Sequence, residues 1–88
     1  MKVAFEGSFA RDLKHIRNKK LLQQVQQIIA QVKAAPTARD IAKLKKMQSY
    51  ATFYRIRLSD YRIGLEIVDE QIIFVRILHR KNIYRYFP

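Results

Sequence analysis

The sequence predicts an α+β fold in which an N-terminal strand and a two-helix hairpin pack on one face of a small, mainly antiparallel sheet. Three observations predict it. An apolar stripe with helical period runs through residues 21–32, Pro36 then interrupts the helical pattern, and from Ala51 onward apolar residues recur with a period of two. The expected element order is therefore β-α-α-β-β-β.

The first two elements are short. Val3 and Phe5 lie on one side of an alternating segment, as in a short strand. Ser8 is a residue type that caps helices, and the first helix is predicted to run from it to near Asn18. Its apolar positions follow the helical spacing i, i+4 and i+7 and are Phe9, Leu13 and Ile16.

The second helix has the clearest pattern in the chain. Pro36 marks its end, because a proline disfavours helical backbone in the residue before it. The two helices should form a hairpin. Thr37, followed three residues later by Asp40, is typical of a capping box and predicts a short turn that carries Ile41 and Leu44. The apolar stripe lies opposite a glutamine-rich face and consists of Leu21, Leu22, Val25, Ile28, Ile29 and Val32.

Two strands with alternating patterns follow, separated by Ser59-Asp60. If these two residues form a hairpin turn, Leu58 lies opposite Tyr61, and the apolar sets of both strands share one face. The opposite face then gathers three arginines, which are Arg55, Arg57 and Arg62.

A third strand, from Ile72 to His79, is apolar on both sides except at Arg76, so its register is ambiguous. We prefer the register in which residues 69–71 form a three-residue turn, because it places Arg76 on the arginine face near Gly64. The other register would bury an unpaired charge. In the preferred register, Ile73, Val75 and Ile77 face the core. The chain is expected to stay extended from there to its end.

Length and composition bound the kind of protein. A chain of 88 residues suits a single compact domain, 1–88, that buries roughly 60% of its unfolded surface. The absence of cysteine excludes disulfides and thiolate metal sites. No stretch reaches the roughly 18 apolar residues of a membrane span, and no apolar leader is visible, so we expect a soluble cytoplasmic protein.

The charge is strongly positive, since 18 lysines and arginines against 7 acidic residues give a net charge of +11. Such a protein favours polyanionic partners. RNA or DNA, an anionic membrane surface and an acidic protein all remain open from composition alone. His15 and His79 are far apart in sequence with no suitably spaced carboxylates, so neither a metal nor another cofactor is expected.

The predicted arginine face suggests a phosphate site. Guanidinium groups so close together repel one another unless an anion lies among them, and the guanidinium fork matches phosphate in a bidentate way. The alternative is that several of these arginines pair with Asp60, Glu66, Asp69 or Glu70. The face is expected to comprise Arg55, Arg57, Arg62, Arg76 and Arg80.

Aromatic residues and one histidine accompany these arginines. An unstacked RNA base can lie on aromatic rings, although the same rings could equally belong to the core or face a partner. His79 closes the third strand beside Arg80, where neighbouring positive charge would favour its neutral form and suit it to proton transfer. The aromatic residues are Tyr50, Phe53, Tyr84, Tyr86 and Phe87.

Two segments, Tyr54–Ile63 and Phe74–Tyr84, resemble the signature of the RelE/ParE toxin superfamily in its RelE-like branch, and Lys43-Leu44-Lys45 resembles the basic segment of that family. The likeness covers almost the whole chain. It implies the toxin of a type II toxin–antitoxin system. Such a toxin cleaves messenger RNA on the ribosome, by attack of a ribose 2′-hydroxyl on the adjacent phosphate and without a metal.

The resemblance also implies roles for particular residues. Arg55 and Arg57 fall where the RelE toxin has two lysines on one strand. Because arginine hardly loses its proton, these two are expected to act as electrostatic stabilisers, and proton transfer falls to His79 or Tyr84. The expected catalytic set is Arg55, Arg57, Arg62, His79, Arg80 and Tyr84, and the expected RNA-binding set is Lys43, Lys45, Lys46, Arg76, Tyr86 and Phe87. Ser59 stands where the family usually has glycine.

Two other functions compete with this one. A ParE-type member of the same superfamily would inhibit DNA gyrase without being an enzyme, and a plain nucleic-acid-binding module would bind without catalysis. The partners implied by the ribonuclease reading are the 70S ribosome, messenger RNA and a cognate antitoxin with an acidic segment, encoded by a neighbouring gene, and no membrane.

Overall fold

A computed structural model describes residues 1–88 and confirms the α+β class. The elements in chain order are β1 (Lys2–Phe5), α1 (Gly7–Lys14), α2 (Lys19–Ala34), a 3₁₀ turn (Ala38–Asp40), β2 (Leu44–Lys46), β3 (Phe53–Leu58), β4 (Tyr61–Val68), β5 (Gln71–His79) and α3 (Ile83–Tyr86).

One five-stranded sheet contains all the strands, in the order β1-β5-β4-β3-β2. β1 runs parallel to β5, and the other neighbours are antiparallel. The predicted order β-α-α-β-β-β lacked β2 and α3. β2 has only three residues and no alternation of its own, and it forms because Lys45 pairs with Arg55 on β3. The expectation that the chain stays extended to its end was wrong, since residues 83–86 turn into a short helix.

Local capping fixes the helix ends. Asn18 caps α2, its side-chain oxygen accepting a hydrogen bond from the Leu21 amide at 3.1 Å, so α1 ends earlier than predicted. Glu6, not Ser8, occupies the N-cap of α1, and the Ser8 hydroxyl donates to the Val75 carbonyl at 2.6 Å. The capping box predicted for Thr37 and its partner three residues later is confirmed.

The hairpin between β3 and β4 has the predicted register. Leu58 lies opposite Tyr61, and Arg57 opposite Arg62. Ser59 in the turn has φ 55°, a left-handed conformation that costs roughly 1–2 kcal/mol for a residue with a side chain. The turn therefore keeps the geometry that glycine would adopt freely.

The register predicted for β5 was partly wrong. Val68 pairs with Gln71, so the turn has two residues instead of three. Gly64 lies opposite Arg76, as predicted, but Leu65 lies opposite Phe74, which leaves a β-bulge at Val75. Side chains therefore change face within the strand. Ile72, Phe74 and Ile77 are buried, whereas Ile73 and Val75, predicted to join the core, are only partly buried.

Helices α1 and α2 cover one face of this sheet and form the core with it, and α3 lies against the other face, where Phe87 packs on Gly64. Phe9 of α1 and Val32 of α2 are fully buried against the apolar faces of the central strands. The ring of Phe9 packs on Phe74, with 5.3 Å between ring centroids. No helix is long and apolar enough to cross a membrane. Because apolar residues alternate along β3 and β4, the sheet face opposite α1 and α2 carries the basic side chains.

Candidate active site

The face of the sheet opposite α1 and α2 carries an open cleft of ≈ 860 Å³, here called the basic cleft. It adjoins a second hollow of ≈ 590 Å³ that runs along the β3 edge toward Ser59. Lys45 and Arg55 line both, so the two form one groove. The residues of the larger part are Lys45, Lys46, Met47, Gln48, Ser49, Tyr50, Arg55, Tyr84, Phe87 and Pro88, and Lys43 and Arg57 join in the smaller part.

Arg55 is the most unusual residue of the cleft. Its exposed fraction is 9%, yet it takes part in no ion pair and no side-chain hydrogen bond. Its strand neighbours are Lys45 on one side and Gly64 on the other, and neither can supply a negative charge. Buried charges in proteins are ordinarily paired. None of its unpaired guanidinium nitrogens is itself buried, so the side chain is held by its surroundings while its charged end reaches the open cleft. An unpaired guanidinium presented in this way is what an anion-binding site requires.

Three further arginines, Arg57, Arg62 and Arg80, are grouped with Arg55, because Arg62 lies close enough to each of the other three for their charges to interact. Burial lowers the pKa of Arg62, and so do the positive charges of Arg57 and Arg55, in decreasing order. Tyr84 raises this pKa, and Arg80 lowers it by a smaller amount. Arg62 is held in place by donating to the carbonyl oxygens of Ser59 at 2.9 Å and Tyr61 at 2.8 Å. The four residues Arg55, Arg57, Arg62 and Arg80 are called the arginine cluster below.

Acidic residues do not neutralise this cluster. The one ion pair of the cluster joins Oδ1 of Asp60 and Nε of Arg80 at 3.9 Å, with both side chains largely exposed. Such a contact contributes little. Glu66, the other acidic residue on these strands, accepts a hydrogen bond from Thr52 instead. The mutual repulsion therefore remains available to be relieved by a bound anion.

The C-terminal segment brings Tyr84 to the cleft by means of Phe87. Phe87 is 2% exposed, and its ring lies directly on Gly64, where an added Cβ would be 2.7 Å from the ring. It also meets Phe53 edge-on, with 5.3 Å between centroids. Phe87 is thus a buried anchor, and its expected contact with RNA gives way to this packing role. Tyr84 is 63% exposed and lines the cleft.

Arg76 lies outside the arginine cluster, although its register opposite Gly64 was predicted. Its Nε and a terminal nitrogen donate to the Asp12 carboxylate at 2.8 and 3.0 Å, and the Ile77 amide donates to the same group at 3.0 Å. The hydrogen bond that Arg76 donates to Asp12 raises the pKa of Arg76. Its guanidinium also lies 5.8 Å from the ring centre of Tyr86. Arg76 on β5 therefore contacts α1 through Asp12 and α3 through Tyr86, and these contacts hold both helices against the strand.

His79 is likewise separated from the cluster. It pairs with Tyr61, whereas Arg62 pairs with Leu78, so alternation directs the side chains of His79 and Arg62 to opposite faces of the sheet. His79 lines a different hollow, together with Asp12 and other residues on the helix side, and its Nδ1 accepts from the Lys81 amide at 3.2 Å. The structure does not bring it to Arg55.

The structure keeps His79, Arg76 and Tyr86 apart from the other predicted site residues. Those that it brings together are Arg55, Arg57, Arg62, Arg80, Tyr84, Lys43, Lys45, Lys46 and the buried Phe87, which lines the cleft. Residues 47–50 form one wall of the cleft, and of these sequence reasoning named only Tyr50 and missed residues 47–49. It also missed Gly64 as the seat of Phe87. A single glycine inside a strand pattern is a signal for close approach of another group, and it could have pointed to this contact.

Comparison with known proteins gives consistent results. A family model described as ParE toxin of type II toxin–antitoxin system, parDE, matches residues 3–84. Toxin RelE3 of Methanocaldococcus jannaschii is 42% identical over 89 residues, with 100% of both chains covered. The RelB–RelE antitoxin–toxin complex from Methanococcus jannaschii matches with a TM-score of 0.82 and 37% identity, covering 97% of this chain and 99% of that chain. The archaeal RelE–RelB complex from Pyrococcus horikoshii OT3 has the same fold, with a TM-score of 0.71 at 19% identity over 90% of this chain and 93% of that chain.

Proposed function

This chain belongs to the RelE/ParE family of type II toxin–antitoxin toxins, and from that membership we propose that it is a ribosome-dependent endoribonuclease that cleaves messenger RNA and so stops translation. Residues 1–88 would form the single toxin domain, acting in the cytoplasm where ribosomes and messages are found. Its likeness to a RelE toxin over the full length of both chains supports this branch of the family.

The observation that carries the proposal is the unpaired Arg55 in the basic cleft. Its side chain is largely buried, its charged end reaches the cleft, and no carboxylate pairs with it, so the strand presents a positioned positive charge with free donors. A phosphodiester entering the cleft would supply the missing negative charge. The exposed Lys45 and Lys46 beside it suit the neighbouring phosphates of the same strand.

The arginines suggest a division of labour in the reaction. The 2′-oxygen attacks the adjacent phosphorus, the bond to the 5′-oxygen breaks, and a cyclic phosphate and a 5′-hydroxyl remain. We assign Arg55 and Arg57 to stabilising the charge that develops on the phosphate oxygens, and Arg62 with Arg80 to holding the phosphate. Each such fixed donor is worth roughly 3 kcal/mol in a transition state.

Proton transfer is assigned to Tyr84. It lines the cleft, whereas His79 lines a hollow on the other side of the sheet. The phenol of Tyr84 is suited to protonating the departing 5′-oxygen while the 2′-hydroxyl proton passes to water. Tyr84→Phe should therefore slow cleavage, and His79→Ala should leave most of it. The opposite pattern would transfer the role to His79.

A second candidate function has one observation in its favour, since the matching family description names a ParE toxin. A ParE-like protein would inhibit DNA gyrase and leave messages intact. A non-catalytic nucleic-acid-binding module would do neither and would show only salt-dependent binding. The arginine cluster favours the ribonuclease, because a gyrase inhibitor requires no phosphate site.

The proposal is tested by primer extension on a defined message in a bacterial translation reaction, with ribosomes present or omitted. New 5′ ends within codons, only when ribosomes are present, are expected. Arg55→Gln should lower the cleavage rate about 100-fold or more. Arg39→Gln, which removes an exposed arginine of the 3₁₀ turn, is the matched control. Intact message with undisturbed translation would refute the proposal, and inhibited supercoiling would then indicate the gyrase inhibitor.

A cognate antitoxin is the proposed partner. Two similar toxins have been solved in complexes with RelB antitoxins. The net charge of +11 and the unneutralised arginine cluster suit an antitoxin segment rich in carboxylates that covers the cleft. Added salt should slow association of the two proteins. An association rate that is independent of salt would contradict this electrostatic role.

A further inference from the structure

The cleft wall formed by residues 47–50 has the composition of a base-recognition surface. Gln48, Ser49 and Tyr50 are exposed and line the basic cleft beside Lys46. Gln48 and Ser49 make no side-chain hydrogen bond within the chain, so an amide, with one donor and one acceptor group, and a hydroxyl remain free. Ser49 has φ 69°, an unusual backbone conformation for a residue with a side chain.

Tyr50 is exposed and yet held in place. Its ring is 45% exposed and meets Phe53 edge-on, with 5.8 Å between centroids and 76° between planes. Phe53 in turn meets Phe87, which is buried on Gly64. An edge-on contact covers at most one face of a ring, so Tyr50 keeps a free π-face while it packs on Phe53, which Phe87 supports in turn.

Tyr84, 63% exposed, lines the same cleft from the C-terminal side. The cleft therefore combines two accessible tyrosine rings with a phosphate-sized site at Arg55. Stacking on aromatic rings is how proteins hold unpaired bases, and hydrogen bonds to the base edges are how they distinguish them. A nucleotide whose phosphate lies at Arg55 would bring its base to one or the other of these tyrosines.

We propose that the loop of residues 47–50 determines the base preference of the cut, with Tyr50 stacking on a base next to the cleaved phosphate and Gln48 hydrogen-bonding to its edge. This inference rests on the proposed ribonuclease function. Tyr50 holds any base, because every base has a π-face, and Gln48 supplies the selectivity. Losing the ring and losing the amide should thus have different effects.

The test compares cleavage at every codon of a message library by the unaltered protein and its variants. Tyr50→Ala should lower cleavage about tenfold at all sites, and Tyr50→Phe should retain it, because stacking needs the ring and not the hydroxyl. Gln48→Ala should reduce the ratio between the best and worst cut bases about tenfold. Gln26→Ala, on the exposed face of α2, is the matched control and should change neither quantity.

Binding of uncleavable 2′-O-methyl trinucleotides, varied at the central base, tests the same loop without catalysis. The unaltered protein should discriminate among the bases, Gln48→Ala should abolish the discrimination, and Tyr50→Ala should weaken every Kd about tenfold. If the variants match the unaltered protein in binding, or in cleavage where the unaltered protein cuts, the loop has no such role. If binding follows the expected pattern but no message is cut, the ribonuclease proposal fails and base recognition stands.

Discussion

Replacing Gly64 with alanine is expected to destabilise the fold and to displace the segment that carries Tyr84. The added Cβ would lie 2.7–2.8 Å from three ring atoms of Phe87, closer than van der Waals contact permits. Overpacking of this kind costs about 2 kcal/mol, and expelling a buried phenyl ring costs a similar amount. Alanine recovers about 0.5 kcal/mol by restricting the unfolded chain. The net loss in free energy of unfolding should be about 1.5 kcal/mol.

Urea unfolding followed by circular dichroism measures this loss. With a slope of about 1.5 kcal/mol per molar urea, the midpoint should fall by about 1 M. The same substitution made in a Phe87→Ala background should be neutral or slightly stabilising, because the ring that it meets is gone. A Gly64→Ala penalty of the same size with and without Phe87 would refute the reasoning. Cleavage by Gly64→Ala should also fall about tenfold or more, since Tyr84 loses its position.

Three further predictions follow from the contacts of other residues. Asp12→Asn should lower the free energy of unfolding in urea by about 2 kcal/mol, because it weakens the charge-assisted hydrogen bonds between Asp12 and Arg76. The folded-state pKa of Arg76 is raised, so the stabilisation by this pair is fully present at lower pH and is lost only in strong alkali. The penalty should therefore be equal at pH 7 and pH 9. Inorganic phosphate should raise the Tm of the unaltered protein and of Arg39→Gln but raise it less in Arg55→Gln, and equal shifts in all three would place the anion elsewhere. Ser59→Gly should raise stability by about 1 kcal/mol, because glycine adopts φ 55° without strain, and a lower urea midpoint would contradict that account of the turn.

The arginine face could be predicted from sequence because it depends on local pattern alone. A period of two and a two-residue turn at Ser59 fix which residues of β3 and β4 share a face, and Arg55, Arg57 and Arg62 follow from that. The sequence also put Arg80 and Tyr84 beside this face, and the family resemblance gave them catalytic roles; the structure brings both near Arg62.

What the sequence could not predict depends on contacts between distant segments. Asp12 and Arg76 are 64 residues apart, and nothing near Arg76 indicates that its charge is already neutralised. His79 was expected near the cluster because of its neighbour Arg80, but alternation along β5 directs it to the other face. The register of β5 was ambiguous because its residues are apolar on both sides. The unpaired Val75 forms a bulge, so the first half of the strand follows one register and the second half follows the other, which a regular strand does not allow.

The bulge at Val75 also affects how related sequences should be aligned with this one. It separates two halves of β5 in which the inward positions have opposite parity, with Ile72 and Phe74 on one side and Ile77 on the other. Deleting Val75 would restore a regular strand in which Phe74 and Arg76 are consecutive, and every remaining side chain would keep its face and its partner on β4. A relative that lacks this residue should therefore show plain alternation through the whole strand, with the inward positions of both halves unchanged. An alignment that places the gap elsewhere in β5 would put the residues between the gap and the bulge on the wrong face.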